Sequence, residues 1–236
     1  MSTELSDISK RWGSMSQYAA PPIAASLAMI PFFYGFTAKS AQQVGDSIPS
    51  MTLKEAFKGG LKASPTIGTI VGTQMVVQHL AEKALMKGDS EPDFTKMFAS
   101  AFVVGGFSAP ALAIFNGQTM GQTASESISR LSARQAGAIV SRETSFLFSI
   151  RISDPVSQSM KKRYGDNKIV EYSSAFFSGA VGSLIGHPAD TALTLWQKGM
   201  KITHPSQLMR GAPIKALATG GFSSLYKFIK ELFSRA

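Results

Sequence analysis

The chain alternates between long stretches without charged residues and short polar segments. Four stretches contain no Asp, Glu, Lys or Arg: residues 12–38, 63–81, 97–125 and 172–189. Each is long enough, or nearly so, to cross the roughly 30 Å hydrocarbon core of a bilayer as a helix. Two further apolar segments, residues 136–152 and 212–233, are interrupted by charges. The pattern predicts six helices, rich in the small residues that let helices pack closely in lipid.

A proline interrupts the first, third and fifth predicted helices at nearly equal spacing. Pro31 and Pro110 are 79 residues apart, and Pro110 and Pro188 are 78 apart. A proline inside a helix removes a backbone hydrogen bond and kinks the helix. A glycine before each even helix gives a second marker, in the segments Phe57-Lys58-Gly59, Gln135-Ala136-Gly137 and Met209-Arg210-Gly211. The two markers predict one domain of three tandem two-helix repeats, over residues 1–90, 91–168 and 169–236.

Charge is distributed unevenly between the two sets of predicted loops. The loops within repeats, residues 39–62, 126–134 and 198–210, carry a net charge of +6, whereas those between repeats, residues 82–96 and 151–171, carry +1. By the positive-inside tendency, the within-repeat loops face a matrix or cytoplasmic-type compartment. The overall net charge of +9 suits anionic lipid. Without zinc spacing or an RNA-binding signature, it predicts no nucleic-acid partner.

Composition leaves one alternative open and excludes several kinds of chemistry. A hydrophobic fraction of 44% also fits a soluble helical bundle, whose repeats would then be coincidental. The lack of cysteine excludes disulfides, thiolate metal ligands and a cysteine nucleophile. His79 and His204 show no ligand spacing, and no catalytic motif is present, so we predict no metal, no cofactor and no enzyme activity. The N-terminal residues predict no cleaved secretory or transit peptide.

The fifth predicted helix carries the most specific motif. It reads Pro188-Ala189-Asp190-Thr191-Ala192-Leu193-Thr194-Leu195-Trp196-Gln197. Together with the repeat, this segment resembles the mitochondrial carrier family of solute transporters, whose odd helices read Pro-x-[acid]-x-x-[base]-x-[base]-x-Gln. Pro188, Asp190 and Gln197 match. The resemblance implies an all-α bundle of six transmembrane helices, monomeric, in the mitochondrial inner membrane, with the outer membrane as an open alternative.

The first two repeats depart from the family pattern at its charged positions. Phe33 and Leu112 stand where the family has acids, and the first base positions hold Phe36, Phe115 and Leu193. In the family these charges form a ring of salt bridges that closes the matrix side. Because only Asp190 remains, we predict that an apolar plug closes that side, formed by Phe33, Phe36, Leu112, Phe115 and Leu193. We assign Lys39 as the partner of Asp190.

The family resemblance also implies a lipid site. In the family, the step from an aromatic residue through a base to glycine helps to bind cardiolipin. Backbone N–H groups at a helix N-terminus suit a phosphate group. The matching residues here are Lys58, Gly59, Arg210 and Gly211.

A substrate site is predicted where charges interrupt the fourth helix. The segment Arg142-Glu143-Thr144-Ser145-Phe146 is similar to an Arg-Glu-x-Pro-Phe run at a substrate contact point of the family. Charges at membrane depth usually face a cavity and serve a function. Lys215 falls near the corresponding point of the sixth helix. We predict that Arg142, Glu143 and Lys215 bind a small anionic or zwitterionic, amino-acid-like metabolite during alternating access. A plain ion pair and a non-transporting scaffold remain alternatives.

Overall fold

The computed structural model describes residues 2–85, 93–119 and 123–235, and within these ranges helices are the only regular secondary structure. The helices are α1 (Ser2–Val44), α2 (Leu53–Leu85), α3 (Phe94–Thr119), α4 (Ala124–Ser129), α5 (Ala133–Tyr164), α6 (Lys168–Ile185), α7 (His187–Gln197) and α8 (Ala212–Arg235). A 3-10 helix, Pro205–Met209, precedes α8. The all-helical class is confirmed. Each of the six predicted helices is present, with the fifth divided between α6 and α7.

The long helices form a closed ring in chain order. α1 packs on α2, α2 on α3, α3 on α5, α5 on α6, α6 on α8, and α8 returns to α1. Short connections place consecutive helices next to each other as antiparallel neighbours. α7 begins one residue after the end of α6 and contacts α1 and α5. Each predicted repeat therefore corresponds to one adjacent pair of ring positions.

Small residues set the distance between neighbouring helices. A Cβ atom added to Gly72 in α2 would lie 2.4 Å from the backbone of Pro22 in α1. At Gly182 in α6 it would lie 2.1 Å from the side chain of Ser149 in α5. These contacts leave no room for a larger side chain. They confirm that glycine allows close helix packing, as the composition predicted.

Polar side chains are unusually frequent inside the bundle, and many large apolar side chains lie outside. Among the side chains that the structure describes, buried polar residues are nearly as numerous as buried apolar ones, and about half of the latter are alanine. Large apolar side chains lie outside instead: Phe98, Phe102 and Phe107 of α3 are 50%, 55% and 73% exposed. Large exposed apolar surfaces of this kind mark contact with lipid or another protein.

Two helices among the described residues are long and apolar enough to cross a membrane by themselves. They are Tyr18–Val44 within α1 and Phe94–Ile114 within α3. The remaining predicted spans do not meet that criterion in the described part of the chain. Six transmembrane spans therefore remain a prediction.

Similar capping interactions precede the three even ring positions. The backbone N–H of Thr52 donates to Glu55, that of Thr123 to Glu126, and that of His204 to Gln207. The hydrogen bonds from the backbone and then the hydroxyl of Thr123 lower the pKa of Glu126. Seven residues beyond these caps lie Gly59, Arg130 and Gly211.

This register corrects the predicted marker of the middle repeat. By distance from the cap, the equivalent of Gly59 is Arg130 and not Gly137. Gly137 lies inside α5, where an added Cβ atom would meet nothing within 4 Å. Its spacing from Gly59 does not reflect an equivalent structural position.

The third proline also takes a different position from the one predicted. Pro31 and Pro110 lie inside α1 and α3, as expected. Pro188 instead occupies the first turn of α7, after a break at Gly186. Proline suits the first turn of a helix, because its missing N–H needs no partner there. The fifth helix is therefore broken, not continuous through its proline.

We predict that Gly72→Ala lowers the free energy of unfolding by about 1–3 kcal/mol, because the added methyl group would collide with the α1 backbone. The matched control is Gly106→Ala in α3, where an added Cβ atom meets nothing within 4 Å. That substitution should be neutral or stabilise the helix by up to about 1 kcal/mol. Thermal unfolding of both variants in detergent provides the measurement. Equal stability of the two variants would contradict the close α1–α2 contact.

Candidate functional site

The ring encloses a cavity of about 780 Å³, here called the central cavity. Residues from every long helix of the ring line it. Its mouth lies at the end that carries the within-repeat loops, where the exposed residues Asp46, Lys62 and Lys198 contribute to the lining. Its volume lies within the range of about 300–1,000 Å³ that is typical of small-molecule sites.

Asp190 lies at the centre of the buried charges of this cavity. Its Oδ2 atom is 2.9 Å from Lys39 Nζ and 3.1 Å from Lys215 Nζ. Its Oδ1 atom accepts a hydrogen bond of 3.1 Å from Arg142 Nη1. Gln43 donates a further hydrogen bond of 2.9 Å to Oδ2. The predicted pairing of Asp190 with Lys39 is confirmed, and Asp190 is a buried acid, not a surface one.

Glu143 extends this network to α2. Its Oε1 atom accepts a hydrogen bond of 2.7 Å from Arg142 Nε, and its Oε2 atom accepts one of 3.1 Å from Gln74. The network joins residues of α1, α2, α5, α7 and α8. We call its five charged members, Lys39, Arg142, Glu143, Asp190 and Lys215, the Asp190 cluster. The three residues predicted to bind substrate therefore come together, and they are already paired with acids of the cluster.

The local fold explains why Asp190 occupies this position. The residue lies in the first turn of α7, where the positive end of the helix dipole favours a carboxylate. Gln43 donates to Thr191 and accepts from Thr194, so that α7 is held against α1 on both sides of Asp190. Gln197, at the end of α7, also lines the central cavity.

The walls of the central cavity carry more positive than negative charge. Lining bases outnumber lining acids by five to three: Lys39, Lys62, Arg142, Lys198 and Lys215 against Asp46, Glu143 and Asp190. A cleft of one sign with low-dielectric walls concentrates ions of the opposite sign. The arrangement therefore favours an anionic group.

The structure divides the predicted apolar plug between two places. Phe33 and Phe36 line the central cavity and pack against the core that includes Met29 and Val71. Leu112 also lines the central cavity, but it packs together with Leu193 in a separate core around Ile139. The side chain of Phe115 lies outside the described part of the chain. The described members of the plug therefore do not form one cluster.

An aromatic layer bounds the far end of the central cavity. The rings of Phe146 and Phe222 are 6.2 Å apart, and Phe222 stacks on Tyr226 at 6.1 Å. Phe146 and Phe222 face the central cavity, whereas Tyr226 faces a second cavity of about 370 Å³. The ring is therefore divided near its far end.

The residues of the predicted lipid site lie on the loops at the mouth end of the ring. Lys58 and Arg210 are exposed, and they precede Gly59 and Gly211. Gly211 has a φ of 78°, a conformation that favours glycine. Gly59 lies under the ring of Phe33, which an added Cβ atom would approach to 2.3 Å. The local structure therefore explains why glycine occupies both positions. The binding of cardiolipin at these residues remains a prediction.

His187 connects α7 to the start of α8. Its Nε2 atom lies 2.8 Å from the carbonyl oxygen of Arg210, which can only accept, so Nε2–H donates. The Nδ1 atom of this buried ring has no partner among the described residues. Within those residues, no group of three His, Cys, Asp or Glu side chains is arranged to hold a metal ion.

The sequence analysis missed a row of polar side chains on α2. Gln74, Gln78 and Glu82 are buried and follow one another at four-residue spacing, so they share one inward face. Glu82 pairs with Arg151 of α5 and accepts a hydrogen bond from Ser100 of α3. The four-residue spacing of these polar residues within an otherwise apolar helix could have indicated a buried polar face from the sequence.

The sequence was compared with known proteins. No family model matches the chain, and no curated protein matches it. The resemblance to the mitochondrial carrier family therefore rests on the residues named above.

We predict that Asp190→Asn lowers the free energy of unfolding by about 3–5 kcal/mol, because it leaves buried bases without their shared acid. The matched control is Asp166→Asn, which removes an acid that is 82% exposed and pairs with Lys161. An exposed pair contributes at most about 1 kcal/mol. Unfolding of both variants in detergent provides the measurement, and similar losses in the two would contradict a central role for Asp190.

Proposed function

We propose that this chain is a membrane transporter that moves a small anionic or zwitterionic metabolite across the mitochondrial inner membrane by alternating access, with an amino-acid-like substrate favoured. One observation carries the proposal: a closed ring of helices surrounds a cavity whose lining has more bases than acids, while large apolar side chains cover the outside. In this proposal the three two-helix units are carrier repeats, and the protein works as a monomer.

The outer surface supports a membrane location. Its exposed aromatic residues would each contact water in a soluble protein, whereas lipid tails would cover them at no cost. Some exposed hydroxyl groups along the helices, those of Ser40, Thr69 and Ser145, donate to a carbonyl oxygen of their own helix. Thr69, for example, donates a hydrogen bond of 2.8 Å to the carbonyl oxygen of Pro65. Such internal bonds are required where no water is available.

The division of the interior supports alternating access. The central cavity reaches the loops at one end of the ring, and the aromatic layer separates it from the other end. A transporter must hold its site accessible from one side while a barrier closes the opposite side. The break at Gly186, next to the Asp190 cluster, supplies a point where α6 and α7 can change their relative angle.

The charges of the cluster support the substrate class. Arg142 presents a planar fork that can bind a carboxylate through two hydrogen bonds. Glu143, beside it, can accept a hydrogen bond from an ammonium group. A zwitterionic or anionic substrate would replace part of the present pairing between Arg142, Glu143 and Asp190. Cardiolipin at Lys58, Gly59, Arg210 and Gly211 would hold the mouth end of the ring in the membrane.

One observation favours a second candidate, a non-transporting membrane scaffold or partner-binding module. The buried bases of the Asp190 cluster already have acidic partners, and three of their four ion pairs bridge different helices. Such a network can serve only to hold the helices together. The loss of the family's gate charges in the first two repeats points in the same direction.

The transporter proposal predicts a substrate-dependent rise in thermal stability. Purified protein with added cardiolipin would be unfolded in the presence of amino acids, keto acids and nucleotides. A ligand at one hundred times its Kd adds about 2.7 kcal/mol to the free energy of unfolding. That raises the midpoint of a chain of this size by roughly 5–10 °C. The same compound should enter proteoliposomes that contain the protein.

Arg142→Lys keeps the charge and removes the guanidinium fork, so it should weaken a carboxylate-dependent shift by at least about tenfold in Kd. Lys83→Gln is the matched control, since Lys83 is exposed and outside the cavity. If a cooperatively folded protein shows no shift and no uptake with any compound, the scaffold replaces the transporter.

A further inference from the structure

The second cavity has its own chemistry, separate from that of the Asp190 cluster. It has a volume of about 370 Å³ and lies beyond the aromatic layer, at the end of the ring that carries the between-repeat loops. Residues of α1, α2, α5, α6 and α8 line it. None of the five charged members of the Asp190 cluster contributes to its lining.

Two buried hydroxyl groups in this lining lack hydrogen-bond partners. Ser223 and Tyr226 of α8 are only 4% and 3% exposed. Neither hydroxyl has a partner in the part of the chain that the structure describes. Buried hydroxyl groups in folded proteins are almost always paired, so an unpaired one requires an explanation. Both residues line the cavity, and each can donate to a molecule inside it.

The charges around the two hydroxyls are mainly positive. Lys227 is 2.8 Å from Asp154, and Arg151 pairs with Glu82. Lys230 also lines the cavity, but it has no ion pair among the described residues. An unpaired ammonium group next to two unpaired hydroxyls matches an oxygen-rich anion, which accepts hydrogen bonds from all three.

The size of the cavity restricts the ligand further. A volume of 370 Å³ exceeds that of a few water molecules, each of which occupies about 30 Å³ in the liquid. It can contain a small organic anion together with some water.

We propose that the second cavity binds a small organic anion, carrying a carboxylate or phosphate group, through Lys230, Tyr226 and Ser223. The site is distinct from the Arg142–Lys215 region. This proposal does not depend on whether the protein is a transporter. The hydroxyl of Thr219, also buried and unpaired, lies on the same face of α8 between the two cavities. If the transporter proposal is correct, the second cavity is the position from which an anion enters or leaves the central one.

The test uses the full-length protein in detergent and measures both the unfolding midpoint and the Kd. Malonate serves as the carboxylate probe and inorganic phosphate as the phosphate probe, with sodium chloride at equal ionic strength as the reference. We expect at least one probe to stabilise the protein. Lys230→Gln should weaken its Kd by about tenfold, which corresponds to the loss of one charge-assisted contact.

Tyr226→Phe separates a binding role from a structural one. Because the hydroxyl has no partner in the protein, its removal should leave the midpoint without ligand unchanged or raised. It should still weaken the Kd of the probe several-fold. A fall in the midpoint without ligand, with an unchanged Kd, would overturn the proposal.

Two further variants complete the design. Lys83→Gln removes an exposed base at the same end of the ring and should leave the Kd unchanged. An equal loss in this variant would mean a nonspecific charge effect and overturn the proposal. If the stabilisation by the probe is lost in Arg142→Gln but kept in Lys230→Gln, the anion binds in the central cavity. That result would overturn the second site and leave the transporter proposal standing. No response of the wild-type protein to either probe would also overturn the second site.

Discussion

The arrangement of the interior depends on one carboxylate. Asp190 contacts bases from α1, α5 and α8, and so connects three helices of the ring to α7. Bringing three bases close to each other in a buried site would be unfavourable without it. The acid therefore determines where α7 lies in the ring and how wide the central cavity is. The position of the break at Gly186 follows from the same requirement, since it places Asp190 in the first turn of a helix.

The rest of the packing is consistent with this polar centre. A ring that keeps charges and hydroxyls inside cannot rely on a large apolar core. Neighbouring helices instead approach through small residues, as Gly72 does with Pro22 and Gly182 with Ser149. The large apolar side chains are left for the outer surface. The two cavities remain separate because the apolar core around Met29, Val71 and Phe222 lies between them.

The sequence allowed the helices, their order and the Asp190–Lys39 pair to be predicted, because long uncharged stretches and a lone buried acid are strong local signals. It also brought Arg142 and Lys215 to one site through the repeat. It could not locate the aromatic layer, since Phe222 and Tyr226 look the same in sequence as Phe98 and Phe102, which point outward. The Gly137 marker depends on spacing alone, and spacing does not show that two caps, at Thr123 and at Ser132, precede α5. In the sequence, Lys230 is only one of the charges that interrupt the last apolar segment. Whether its ammonium group has an acidic partner depends on side chains of other helices.

The position of Asp190 late in the chain has a consequence for biosynthesis. In the proposed membrane setting, α1 and α3 are apolar enough to insert by themselves, but α5 carries Arg142, Glu143 and Arg151. Each such charge opposes insertion of an isolated helix by about 2.5–3.5 kcal/mol at its centre. Arg142 and Glu143 can pair with each other, and Glu143 with Gln74 of the preceding helix pair, but Lys39 meets its acid only when α7 is in place. The first two helix pairs therefore cannot complete the pairing of their inward charges by themselves, and that pairing depends on insertion of the last third of the protein.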